Sequence, residues 1–166
     1  MVELIVVIVL IGIIGTSAAG RFFERSTFDT VAWTEQVKST LRYAQKVAVA
    51  QNRAVYVRLT PERIAVCLDP DPACASDDLR LRAPGGANSG SAATRAACGS
   101  DSWMCEGRPA GVTMGLPGNP AAAPGGVAFD GLGRAGMLGG FGGRLEISGD
   151  GIVRTIGIEA ETGYVD

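Results

Sequence analysis

The chain has no histidine in 166 residues. That removes the commonest general base, the Ser-His-Asp and Cys-His nucleophile systems, and nearly every catalytic zinc site. Glycine is missing from a different place: none occurs from Arg21 to Pro84, whereas nineteen of the 24 lie between Gly85 and Gly151. Average usage would put roughly 12 in a chain of this length. A rigid part and a loop-rich part are therefore separated along the sequence. Net charge is −2, with no basic excess to draw nucleic acid. No phosphate-binding loop is present; Gly131-x-Gly133-x-x-Gly136 has dinucleotide-motif spacing but runs into more glycine rather than a helix, and is a chance match. Nothing here points to an enzyme or a cofactor.

Charge is absent from Leu4 to Gly20, 17 residues reading LIVVIVLIGIIGTSAAG, with Glu3 immediately before them. As a helix this run spans roughly 25 Å, close to bilayer hydrocarbon thickness. It accounts for much of the mean hydropathy of +0.20. A secretory signal peptide needs a basic segment ahead of such a run, and none stands there. Beyond Gly20 the helical spacing continues without Pro or Gly: Trp33, Val37, Leu41, Ala44 and Ala48 step by 4, 4, 3 and 4. The spacing predicts one continuous helix of about 50 residues, its first half (1–20) membrane-spanning and its second half (21–52) laid on a globular domain (53–166). An acid at the head of an apolar run costs about 2.5 kcal/mol or more in lipid unless paired, which makes Glu3 a functional candidate.

In the globular part, 54–59 and 63–68 are β-rich and flank Thr60-Pro61-Glu62, a hairpin pattern. Residues 69–126 hold seven of the eight prolines and read as a long, largely irregular excursion. Strand patterns resume at 127–130, 144–148 and 152–158, the last two joined by Gly149-Asp150-Gly151. A long helix followed by antiparallel strands is an α+β arrangement.

The four cysteines fall as Cys67-x6-Cys74 and Cys98-x6-Cys105, which suits two disulfides. Three connectivities are possible, and the equal short spacing favours Cys67–Cys74 with Cys98–Cys105. The x6 spacing does not suit zinc, so no metal is expected there. Asp69, Asp71, Asp77 and Asp78 crowd around Cys74 and carry oxygens of the kind Ca2+ takes, but their spacing matches no calcium motif and Asp-Pro-Asp-Pro is ordinary turn chemistry.

The run Met1-Val2-Glu3-Leu4-Ile5-Val6-Val7-Ile8-Val9-Leu10-Ile11-Gly12-Ile13 resembles the N-terminal signature of type IV pilins and pseudopilins. The likeness is close over about 15 residues; beyond them it is one of layout, a hairpin after the helix and strands closing on Thr162-Gly163-Tyr164-Val165. That layout resembles the minor subunits grouped as GspH/FimT and, among them, the MshC-type subunits of mannose-sensitive haemagglutinin pili. Against the family pattern, the sequence is expected to lack the leader, its Gly and the first two mature residues.

The resemblance implies a pilin-like fold and a structural role in a filament. It implies assembly through Glu3 and the apolar surface of Leu4, Ile5, Val6, Val7, Ile8, Leu10 and Ile11, with Glu3 drawn to the terminal amine of a neighbouring subunit. The partners it implies are other pilin or pseudopilin subunits, prepilin peptidase acting on the precursor, the inner-membrane assembly platform and the inner membrane itself, with the C-terminal domain in the periplasm. A GspH-type role in type II secretion is an alternative. Some FimT-like subunits bind DNA through Gly-Arg-x-Arg; here the nearest stretch is Gly143-Arg144-Leu145-Glu146, an acid standing where the second Arg belongs. Arg134, Arg144 and Arg154 would have to converge to form a phosphate clamp, so DNA is not an expected partner.

Overall fold

In a computed structural model, the backbone of residues 2–166 is described, with the side chains of 2–13 and 28–166. Helix α1 runs Val2–Gln51 without a break, 50 residues or about 75 Å. It stops where Asn52 turns left-handed at φ 47°, with the Arg53 N–H closing on Ala48 O at 3.1 Å. The expected stripe is the buried one: Trp33, Val37, Leu41, Ala44 and Ala48 are all 4% exposed or less. Thr34 and Thr40 share that face and satisfy their hydroxyls on the carbonyls of Thr30 and Gln36.

The other elements are β1 (Val55–Leu59), β2 (Arg63–Cys67), a single 3-10 turn (Asp77–Leu79), α2 (Ala92–Cys98), β3 (Cys105–Gly107), β4 (Thr113–Gly115), β5 (Gly125–Phe129), β6 (Ala135–Leu138), β7 (Arg144–Gly149) and β8 (Ile152–Gly157). All pairings are antiparallel and give two sheets, β3-β2-β1-β5-β6 and β4-β7-β8. Alternation sets the inner face. Val57 pairs Val66 and Val127, Leu59 pairs Ile64, and Val55 pairs Phe129, all buried toward α1. From the second sheet Leu145, Ile147 and Ile156 complete the same core.

The expected helix packed on antiparallel β-structure is present, its strands divided between two sheets. Two other expectations change. Residues 69–126 are not largely irregular, for they hold the 3-10 turn, α2, β3, β4 and the first residues of β5. Segments of three residues carry no periodicity of their own; β3 exists because β2 offers it a ladder, Ala65 opposite Cys105. Strand β6, Ala-Gly-Met-Leu, lacks β-branched residues and was unforeseen; its register on β5 holds it.

The excursion covers the outer face of the larger sheet. There Ala65, Cys67, Cys74, Cys98, Trp103 and Cys105 form a second buried cluster. Disulfides Cys67–Cys74 and Cys98–Cys105 tie it to β2 and β3, with Cα separations of 5.9 and 5.8 Å. Trp103, 2% exposed, donates its indole N–H to Val66 O at 2.8 Å. The guanidinium carbons of Arg80 and Arg63 lie 4.4 and 5.1 Å from its ring, positions that favour cation–π attraction. Burial first, then the nearby Arg80 charge, lower the pKa of Arg63, which donates to Ala97 O at the end of α2. Helix α2 lies so close on β3 that a Cβ at Gly107 would run into the backbone of Ala93 and Thr94. Ahead of Cys74, the Asp71 carboxylate accepts the N–H groups of Ala75 and Ala73 at 2.9 and 3.0 Å, and these bonds lower its pKa.

Leu41→Ala, at 0% exposure, should cost about 2–5 kcal/mol in urea unfolding of the purified chain. Replacing Cys98 and Cys105 together by Ser, which opens a loop of sequence separation 7, should cost about 2.5 kcal/mol in the same measurement. The folded pKa of Asp71 lies below its unfolded value, so its contribution is present above the ordinary carboxylate range and is lost as pH falls through the depressed value. Asp71→Asn should therefore flatten the acid limb of thermal stability below about pH 4, leaving the curve above it parallel to that of the unaltered chain.

Candidate assembly surface

The first twelve described positions of α1 form a surface that nothing else in the described chain covers. Ten large apolar side chains there, from Val2 to Ile13, are each at least half exposed, Val2 at 75% and Val7 at 50%. Successive helical residues are turned about 100° from one another, so exposure at consecutive positions means that every side of the helix is bare. Covering a fully exposed large aliphatic side chain is worth about 1.5–3 kcal/mol, and these ten, each half to three-quarters exposed, leave about 9–18 kcal/mol to be gained, too much to leave in water. All of Leu4, Ile5, Val6, Val7, Ile8, Leu10 and Ile11 belong to this surface. Glu3 stands in the first turn, exposed, where the helix dipole favours an acid.

Among the described residues no helix is long and apolar enough to cross a membrane. The uncharged run expected to span one continues through 14–20, whose side chains lie outside those described. Side chains are described again from Phe28, and among the described ones the first buried along α1 is that of Thr30.

The other candidate residues are scattered. Arg134 sits exposed at the β5–β6 turn, its N–H on Asp130 Oδ1. Arg144 is exposed at the start of β7, opposite Gly157. Arg154 is exposed on β8 opposite Ile147, which places it on the other face of that sheet. The three do not converge into one clamp. The acids near Cys74 are likewise apart in role: Asp71 holds backbone N–H groups and Asp77 pairs with Arg80. Among the described residues no group of three or more His, Cys, Asp or Glu is arranged to hold a metal ion.

Two clefts went unforeseen. One, about 540 Å3, separates Gln36, Thr40 and Tyr43 of α1 from the 83–89 loop, Met104 and Glu106. Glu106 is tied there to Ser89 N–H and the Thr94 hydroxyl, both at 2.8 Å. The second, about 350 Å3, lies between the flank of α1 at Val31, Thr34, Glu35 and Lys38 and the β8 residues Val153, Arg154 and Thr155. Neither has a sequence signature, since each joins residues more than forty positions apart.

No family model matches the chain, and no curated protein matches it. Its structure is similar to the crystal structure of type IV minor pilin FimU from Pseudomonas aeruginosa, with a TM-score of 0.54 and 16% sequence identity over 87% of this chain and 90% of that one. The fold is thus shared with a type IV minor pilin over 87% of this chain, and the α+β, pilin-like fold expected from the sequence is the one this chain adopts.

Proposed function

We propose that the chain is a structural minor subunit of a type IV filament, of the GspH/FimT grouping and the mannose-sensitive haemagglutinin pilus kind. The observation that carries this reading is the helix bared on all sides from Val2 to Ile13. Before assembly the run from Leu4 to Gly20 is covered by the lipid of the inner membrane, with 53–166 on the periplasmic side. Prepilin peptidase acts on the precursor, and the inner-membrane assembly platform receives the product. In the filament the same surface is covered by the N-terminal helices of other pilin or pseudopilin subunits.

Lipid and packed helices are equally apolar, so exchanging one for the other costs the aliphatic side chains little. Glu3 is the exception. A carboxylate in hydrocarbon is disfavoured by about 2.5 kcal/mol or more, and a cation brought by a neighbour, such as its terminal amine, relieves that cost. The acid thus makes the assembled state better than the isolated one and sets the register between subunits. The work is assembly, and no bond is made or broken. A GspH-type subunit of a type II secretion system would use the same surface; copurification with pili rather than with a secretion apparatus separates the two. The separation of Arg134, Arg144 and Arg154 weighs against a DNA-binding role.

Glu3→Ala should lower the amount of the chain in sheared filaments about tenfold or more, while the circular dichroism and melting of 53–166 stay those of the unaltered protein. Normal incorporation of that variant would overturn the role given to Glu3.

A further inference from the structure

Among the described residues strand β8 has a strand neighbour, β7, on one side only. The register Leu145↔Ile156 and Ile147↔Arg154, with the Ile158 N–H on Gly143 O at 2.8 Å, fixes which backbone groups face β7: those of Ile152, Arg154, Ile156 and Ile158. The N–H and C=O groups of Val153, Thr155 and Gly157 face the other way. At Gly157 that side is already in use. Its N–H donates to Asp166 Oδ1 at 2.6 Å, its carbonyl accepts the Asp166 N–H at 3.2 Å, and Ile158 bridges Val165. The edge thus pairs with an extended segment at one end, while Val153, 59% exposed, and Thr155 stay open to another.

Charge selects the occupant. Arg154 shares a face with buried Ile147, so its side chain leaves the sheet on the α1 side, into the cleft of about 350 Å3 lined also by Val31, Thr34, Glu35 and Lys38. The carboxylate of Glu35 is engaged by Lys38 at 4.0 Å. In a strand laid along β8, the residue opposite Arg154 points into this cleft and meets two cations against one carboxylate, while its neighbours point to the solvent face beside Val153 and Thr155. A second copy of β8 is a poor occupant, because pairing through Val153 and Thr155 sets Arg154 against Arg154.

We propose that the free edge of β8 is a strand-addition site for an extended segment of a partner protein that carries an acidic residue opposite Arg154. The main chain of the segment supplies the hydrogen bonds, and the cleft beside α1 reads the acid. This site stands on the sheet edge and does not depend on the role of Glu3.

The test is fluorescence polarisation of the purified full chain with a labelled heptapeptide of alternating Thr and Val around a central Glu. Saturable binding is expected, weakened roughly tenfold when the central residue is Lys, and Arg154→Glu should reverse that preference. Val153→Pro removes a donor that points away from β7, so melting should be unchanged while peptide affinity falls about tenfold. Equal affinity for the Glu and Lys peptides, or unaltered binding by Val153→Pro or Arg154→Glu, would overturn the proposal.

Discussion

The apolar stripe of Trp33, Val37, Leu41, Ala44 and Ala48 is the surface on which both sheets rest, and their positions depend on it. The larger sheet brings Val57, Leu59, Ile64, Val66, Val127 and Phe129 to the stripe; the smaller brings Leu145, Ile147 and Ile156. Alternation along each strand then assigns every intervening residue to the far side. One helix face therefore decides which residues remain to be covered by something else.

For the larger sheet, that something else is the excursion. Ala65 and Cys67 of β2 face away from α1, and a small sheet left bare on that side would put them in water. Trp103, flanked by Arg63 and Arg80, supplies most of the covering bulk, and two disulfides hold the loops that carry it. A segment with few large apolar residues can cover a sheet in this way, because cross-links limit the freedom of the unfolded loops and arginine stems add apolar area around one aromatic ring. For the smaller sheet, the edge of β8 stays open at Val153 and Thr155 and is paired only from Gly157 on.

Much of this was legible in the sequence. The helix was written in the 4-4-3-4 spacing and in the lack of Pro and Gly, and the hairpin of β1 and β2 in two β-rich runs about Pro61. The cysteine spacing favoured the pairings that the structure contains. What could not be read there depends on partners distant in the chain. Strand β3 needs β2, α2 is kept on β3 by Gly107, and β6 borrows its extended form from β5. The arginines failed to assemble for a similar reason: register puts Arg144 and Arg154 on opposite faces of one sheet, a fact set by a turn rather than by composition. The apolar surface of α1 was legible because it is local, a run that no other segment of the chain matches.

The last turns of α1 also hold the other end of the chain. Arg42 donates to Val165 O, and Gln45 to both Gly133 O and Thr162 O, each at 2.9 Å. Helix, β5–β6 turn and C-terminal strap thus meet at two side chains. Since α1 is one unbroken rod of 50 residues, tension applied near Val2 travels its length and arrives at this clasp, loading the domain in shear along the helix rather than peeling its strands apart one by one. A fold in which the pulled element is itself the floor of the core resists as a unit, and the chain's two ends are made to bear the strain together.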